Sequence, residues 1–116
     1  MQEIQKVLEK FDNFKYAEFK SIQTLSKTSM LLTFIVQDDD GEETDKVTFQ
    51  LDGVNEARLI ENNVLSYLDM TDGISIIKYS DIYAFSLGKS NDDLLAMKNT
   101  PLYATASEIN VNQESI

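Results

Sequence analysis

The feature that most constrains this chain is a pair of strand-like runs joined by a charged turn. Lys46 to Leu51 alternates without a break, with Val47, Phe49 and Leu51 on one side and Lys46, Thr48 and Gln50 on the other. A period of two puts the apolar side on a core and the polar side toward solvent. Upstream, Met30 to Gln37 is rich in apolar and β-branched residues, as strands are. Between the two lies Asp38-Asp39-Asp40-Gly41-Glu42-Glu43-Thr44-Asp45, which contains the Asp-Gly turn signal. These runs predict a β-hairpin. A lone hairpin is not stable in water, so the rest of the chain has to supply further strands.

Candidates for those strands are present on both sides. Tyr16 to Thr24 reads as a strand with Ala17, Phe19 and Ser21 on one face, followed by a turn at Ser26-Lys27-Thr28. Asp52-Gly53 punctuates the chain before a further strand at Val54 to Ile60. Asn62 to Leu68 reads either as a helical turn, through Val64, Leu65 and Leu68, or as an irregular strand. After Asp72-Gly73, the runs Ile74 to Tyr79 and Ile82 to Leu87 are separated only by Ser80-Asp81 and predict a second hairpin. Gly88 to Asn91 reads as loop, and Asp92 to Lys98 as a helical turn using Leu94, Leu95 and Met97. Pro101 precedes a last strand, Leu102 to Val111, and Asn112 to Ile116 reads as a frayed tail.

The N-terminus has the helical spacing of a longer element. Ile4, Val7, Leu8 and Phe11 recur at i, i+3, i+4 and i+7, and Asp12-Asn13 marks the stop. The expected fold is therefore α+β but mostly β: an antiparallel β-sandwich or strongly curved sheet of six or seven strands with a short N-terminal helix. A chain of 116 residues has room for one core, so residues 1–116 are expected to form a single domain. Its parts are a helix over 1–12, a β-rich body over 16–111 and a flexible tail over 112–116.

Charge narrows the function classes. Twenty acidic residues face ten basic ones, for a net charge of −10. Such a surface repels phosphate backbones and anionic membranes, so neither nucleic acid nor a membrane is expected as a partner. The imbalance is uneven: the first thirty residues hold five lysines against four acids, and all the excess acid lies downstream. A basic protein surface is the partner this asymmetry favours. The chain has no cysteine and no histidine, which removes disulfides, thiolate chemistry, the commonest general base and the commonest transition-metal ligand. The expected location is cytoplasmic, since small secreted domains usually need disulfides and Met1 to Lys6 lacks the pattern of a signal peptide. The longest apolar run, Met30 to Val36, is too short to span a bilayer.

No catalytic or cofactor motif survives a test of spacing. With Gly41 at the sixth position of an EF-hand loop, the first and twelfth ligand positions fall on Val36 and Val47, and the motif fails. A looser cation site among Asp38, Asp40 and Glu42 ranks below a solvated hairpin tip whose charges discourage aggregation. The four glycines are too widely spaced for a phosphate-binding loop, and no histidine is present to activate a serine. Nothing singles out a pair of carboxylates for glycoside hydrolysis. Asp81, between two apolar runs, is a candidate for partial burial, with a turn-capping role ranked above a catalytic one. The tyrosines Tyr16, Tyr67, Tyr79, Tyr83 and Tyr103 are expected mostly in the core, any exposed cluster being an interaction face. No enzyme activity and no cofactor are expected.

Two stretches carry a resemblance. Val47-Thr48-Phe49-Gln50-Leu51-Asp52-Gly53-Val54 and Pro101-Leu102-Tyr103-Ala104-Thr105-Ala106-Ser107-Glu108-Ile109 resemble the strand with closing Gly-Val and the C-terminal strand of a group of small bacterial β-rich proteins, some of them immunity proteins of polymorphic toxin systems. The helix at Ile4 to Phe11 departs from that group's pattern, which has fewer residues before the first strand. The resemblance implies a small β fold and a binding role, and carries over no functional residue. The resulting expectation is an acidic, non-enzymatic protein-interaction domain, monomeric or homodimeric. Its candidate interaction surface is Asp38, Asp39, Asp40, Glu42, Glu43 and Asp45. The alternative is a small-ligand carrier or sensor with an apolar cavity in a curved sheet, and a carboxylate hydrolase ranks third.

Overall fold

The computed structural model describes residues 2–89 and 93–116. It opens with helix α1, Gln2–Lys10, which buries Ile4 and Leu8, with Glu3 in its first turn and Lys10 in its last. Both charges suit the helix dipole. The chain then reverses through a 3-10 turn at Asp12–Phe14 that is left-handed, with φ of 51°, 56° and 62° at Asp12, Asn13 and Phe14. Tyr16 follows at 64°. Each such residue costs roughly 1–2 kcal/mol without glycine. Phe14 offsets that cost by inserting fully buried into the core, its ring centroid 5.5 Å from Phe11, 5.3 Å from Phe34 and 5.6 Å from Phe49.

Four strands form the first sheet: β1 (Glu18–Thr24), β2 (Ser29–Gln37), β3 (Glu43–Asp52) and, from the far end of the chain, β8 (Glu108–Ser115). Their order is β1-β2-β3-β8 and every pairing is antiparallel. The predicted β2–β3 hairpin is present, with Leu32 opposite Phe49 and Phe34 opposite Val47. In β1 the register slips between Phe19 and Ser21, leaving Lys20 as a bulge. The bulge turns Phe19 and Ile22 into the core, so Ser21, expected to share Phe19's face, does not.

The second sheet holds β4 (Glu56–Arg58), β5 (Ile74–Tyr79), β6 (Ile82–Leu87) and β7 (Tyr103–Ala106), in the order β4-β7-β6-β5. β5 and β6 form the predicted second hairpin, closing at Tyr79 opposite Ile82 with Ser80 at φ 55°. The expected strand at Val54 to Ile60 shrinks to three residues, and Asn62–Tyr67 resolves to a 3-10 helix. Helix α2, Leu94–Lys98, is capped by Asp93, whose carboxylate accepts from the amides of Leu95 and Ala96. It covers the outer face of the second sheet and buries Met97 against Ala84 and Tyr103. The predicted loop at Gly88 to Asn91 and the start of the predicted helical turn at Asp92 lie partly outside the described residues.

The expected last strand, Leu102 to Val111, is in fact two strands in different sheets, broken at Ser107. Opposite it, β3 leaves the first sheet at Asp52 and becomes β4 of the second. The two crossings run side by side. Ser107 donates its amide to the carbonyls of Asp52 (3.0 Å) and Gly53 (3.2 Å), and Asn55 donates to Thr105 (3.0 Å). Gly53 has φ +65°, and a Cβ there would lie 2.0 Å from the Ser107 hydroxyl, so a side chain at this corner would have to displace that hydroxyl as well as strain the backbone. The tail is corrected too: residues 112–115 belong to β8, with Asn112 opposite Thr48 and Glu114 opposite Lys46. The split of Leu102 to Val111 brings the described strands to eight, where six or seven were expected.

Both sheets contribute to one main core, with Leu32, Phe34, Phe49 and Leu51 from the first and Ile74, Ile76, Phe85 and Leu87 from the second. Phe34 is the junction, 4.4 Å from the Phe19 ring and 6.3 Å from that of Phe85. The radius of gyration, 13.1 Å, matches the roughly 13 Å of a compact domain this long. No helix among the described residues is long and apolar enough to cross a membrane.

Candidate functional site

The acidic connection is shorter and better ordered than its composition suggests. Glu43 and Asp45 already belong to β3, leaving a turn over Asp38 to Glu42. Within it the Asp38 carboxylate accepts from the amides of Asp40 and Glu42, both at 2.9 Å. The Asp38 amide donates to the Glu42 carbonyl at 2.8 Å, and the Gly41 amide to the Asp38 carbonyl at 3.0 Å. Asp38 therefore organises the turn, as Asx turns do. Gly41, at φ +82°, supplies the left-handed residue.

Asp39, Asp40 and Glu42 are left exposed on this ordered turn, and Glu43 is exposed at the start of β3. Asp45 is half-buried and accepts from the Gln113 side chain at 3.2 Å. The end of β8 brings Glu114 opposite Lys46, and the Ile116 amide donates to the Thr44 carbonyl at 2.9 Å. Among the described residues ion pairs form only between Lys15 and Asp12 (3.7 Å) and between Lys98 and Glu56 (3.8 Å). None reaches the hairpin tip. All six predicted surface residues thus gather at one end of the first sheet. No group of three or more carboxylates among the described residues is placed to hold a metal ion.

Other sequence candidates fare differently. Asp81 is exposed at the β5–β6 turn rather than partly buried, because a two-residue turn projects its side chains away from both sheets. It makes no hydrogen bond among the described residues, so the capping role is not seen either. The tyrosines do not sit mostly in the core: Tyr16, Tyr67 and Tyr79 are 73%, 85% and 58% exposed. Tyr103 is buried, and lies opposite Arg58 on the outer face of the second sheet.

Several informative residues escaped the sequence reading. The hydroxyls of Ser86 and Tyr103, cross-strand neighbours beneath α2, are buried without hydrogen-bond partners among the described residues. Burial first, and Glu56 second, push the Tyr103 hydroxyl above the ordinary 10.0. Asp69, at the surface, is held below the usual carboxylate range by the Thr71 side chain and then by its amide. Asn62 seals the edge of β1: its side-chain oxygen accepts from the Ile22 amide (2.8 Å) and its nitrogen donates to the Ile22 carbonyl (2.9 Å). Two open grooves flank α1, of about 700 Å³ beside β8 and about 580 Å³ beside β5. Lys15, Lys78 and Lys89 meet at the second, although they are far apart in sequence and carry no local signal. Compared with protein-family models, curated proteins and solved structures, the chain matches none.

Proposed function

We propose that this chain is a non-enzymatic protein-interaction domain that docks a basic protein surface against the acidic end of its first sheet, in the manner of an immunity protein. One observation carries the reading: the carboxylates of Asp39, Asp40, Glu42 and Glu43 stand on or beside a turn locked by Asp38 and have no cation in ion-pair contact among the described residues. Fixed, unneutralised charge raises the rate of encounter with an oppositely charged surface and costs little further ordering on binding. We read the two sheets as one strongly curved ribbon folded over at Gly53 and Ser107, which sets the hairpin tip at the far end of β3 from the corner. The space between the sheets is occupied by Phe14, Phe34, Phe49 and Phe85, which favours this reading over a carrier with an internal apolar cavity. The lack of cysteine accords with a cytoplasmic setting.

The test is a pair of baits in the protein's own host. Wild type and the variant Asp39→Asn, Asp40→Asn, Glu42→Gln, Glu43→Gln are compared for co-purifying proteins. A basic protein held by the wild type, lost from the variant and released by salt is the expected result. The same proteins retained by both baits would remove the hairpin tip from the account.

A further inference from the structure

The geometry points to a second binding site, independent of the acidic end: the groove between α1 and the free edge of β5 takes an extended peptide segment of another protein, which adds to β5 as an antiparallel strand and carries a carboxylate at its downstream end. All residues of β5, from Ile74 to Tyr79, line this groove, with Leu8 of α1 on the opposite wall. The register shows which backbone groups face it. The Gly88 amide donates to the Gly73 carbonyl at 2.7 Å, while the Leu87 amide donates away from β5, to Leu102 at 3.2 Å. In an antiparallel ladder such pairs alternate, so the amides and carbonyls of Ile74, Ile76 and Lys78 point outward. No hydrogen bond from α1 or a loop reaches them among the described residues.

An unpaired edge is a template for another strand, and natural sheets usually block it. This chain does block the edge of β1, where the Asn62 amide mimics a peptide group against Ile22. Among the described residues nothing equivalent stands beside Ile74, Ile76 and Lys78, and a tightly packed wall bounds the gap. The left-handed turn at Asp12–Phe14 is pressed against Gly73 so closely that a Cβ there would lie 2.0 Å from the Asn13 carbonyl oxygen. An added strand would set alternate side chains against Leu8 on the core side and Ile77 on the outer side.

Charge sets the direction. Every strand pairing here is antiparallel, and the antiparallel ladder is the more stable kind. An antiparallel guest ends beside Ile74, where Gly73 abuts the Asn13–Lys15 turn and Gly88 precedes Lys89. Lys15 and Lys89 therefore stand at the guest's downstream end. Asp72 and Glu9 also line the groove, Glu9 accepting from Gln5 at 3.5 Å, and Lys15 keeps an exposed ion pair with Asp12 at 3.7 Å. With Lys78 the groove has three lysines against two acids, whereas the groove beside β8 has Lys78 against Glu3, Asp81 and Glu108. In a chain of net charge −10, the β5 groove is the one of the two that suits a carboxylate.

The probe is a pool of synthetic N-acetylated hexapeptides with free C-termini, panned on the full chain, with hydrogen exchange of the β5 amides as readout. Retained peptides should slow exchange at Ile74, Ile76 and Lys78 by about tenfold or more. Amidation of their C-termini, or Lys15→Gln with Lys89→Gln, should weaken binding about fivefold. Lys78→Pro deletes one outward amide while sparing the β5–β6 ladder and the core, and should abolish retention, whereas Lys78→Gln should not. If Lys78→Pro fails to fold, N-methylation of alternate peptide amides blocks the same bonds from the guest's side. Retention that ignores both blocks, or that protects no β5 amide, overturns the proposal, as does failure of the pool to yield any binder. Protection that grows with protein concentration in the absence of peptide would assign the edge to a second copy and overturn it equally.

Discussion

At the tip of the β2–β3 hairpin the chain answers its own turn, with Asp38 satisfying the amides of Asp40 and Glu42 and leaving charge outward. Along β5 the reverse holds: charge is nearly balanced, and the outward amides and carbonyls of Ile74, Ile76 and Lys78 have no partner among the described residues. The first region offers electrostatic attraction without a concave shape, and the second offers shape and hydrogen bonds. They also differ in what holds them. The tip is built around Gly41, with open space where a Cβ would be, while the wall of the β5 groove wedges Gly73 against non-glycine residues in a left-handed turn. A surface that steers an encounter tolerates loose surroundings; one that receives a strand needs a rigid frame.

The sharpest way to break this contrast is a pair of glycine substitutions. Gly73→Ala must displace the Asn13 backbone from 2.0 Å as well as strain a φ of +68°, and should cost about 3 kcal/mol or more in chemical denaturation. Gly41→Ala meets nothing within 4 Å and bears only the backbone cost at φ +82°, about 1 kcal/mol. Equal costs would show that the groove wall is not tightly held.

A smaller effect is expected from Asn62→Ala, which strips the seal from β1 and makes that edge resemble β5. Loss of two part-buried hydrogen bonds should cost about 1–2 kcal/mol and accelerate exchange of the Ile22 amide. An unchanged Ile22 amide would mean that the seal is not formed in solution.

The least perturbing change, Tyr103→Phe, is expected to stabilise. It removes a buried hydroxyl that has no partner, for a gain of about 1 kcal/mol. The hydroxyl's affinity for its proton is raised in the folded state, so its ionisation leaves stability unchanged below pH 10.0 and lowers it as pH rises from there through the higher folded value. Tyr103→Phe should lack that part of the alkaline loss, as pH-dependent thermal melts of the two proteins would show. A destabilised Phe variant would reveal a partner for the hydroxyl.

The strands with a clean pattern were legible. Val47, Phe49 and Leu51 face the core as their alternation required, and so did the outline of both hairpins. What escaped was decided by contacts between distant residues. β7 is buried on both faces because α2 covers its outer side, so its pattern ran on into β8 as though one strand crossed Ser107. Residues 112–115 looked frayed because they are polar, yet β3 pairs them through the backbone, to which side-chain polarity is no guide. The acidic tip lies on consecutive residues and could be read directly. The lysines of the β5 groove come from three separate elements, and only the fold assembles them.

The most direct test of the central claim is the association rate between this chain and its co-purified partner, measured by stopped flow as ionic strength is raised. If the acidic end steers docking, the wild-type rate falls steeply with salt. The variant neutralised at Asp39, Asp40, Glu42 and Glu43 should then start slower by about tenfold and respond weakly to salt, with dissociation changed less than association. Equal rates and equal salt slopes for the two proteins would contradict the account.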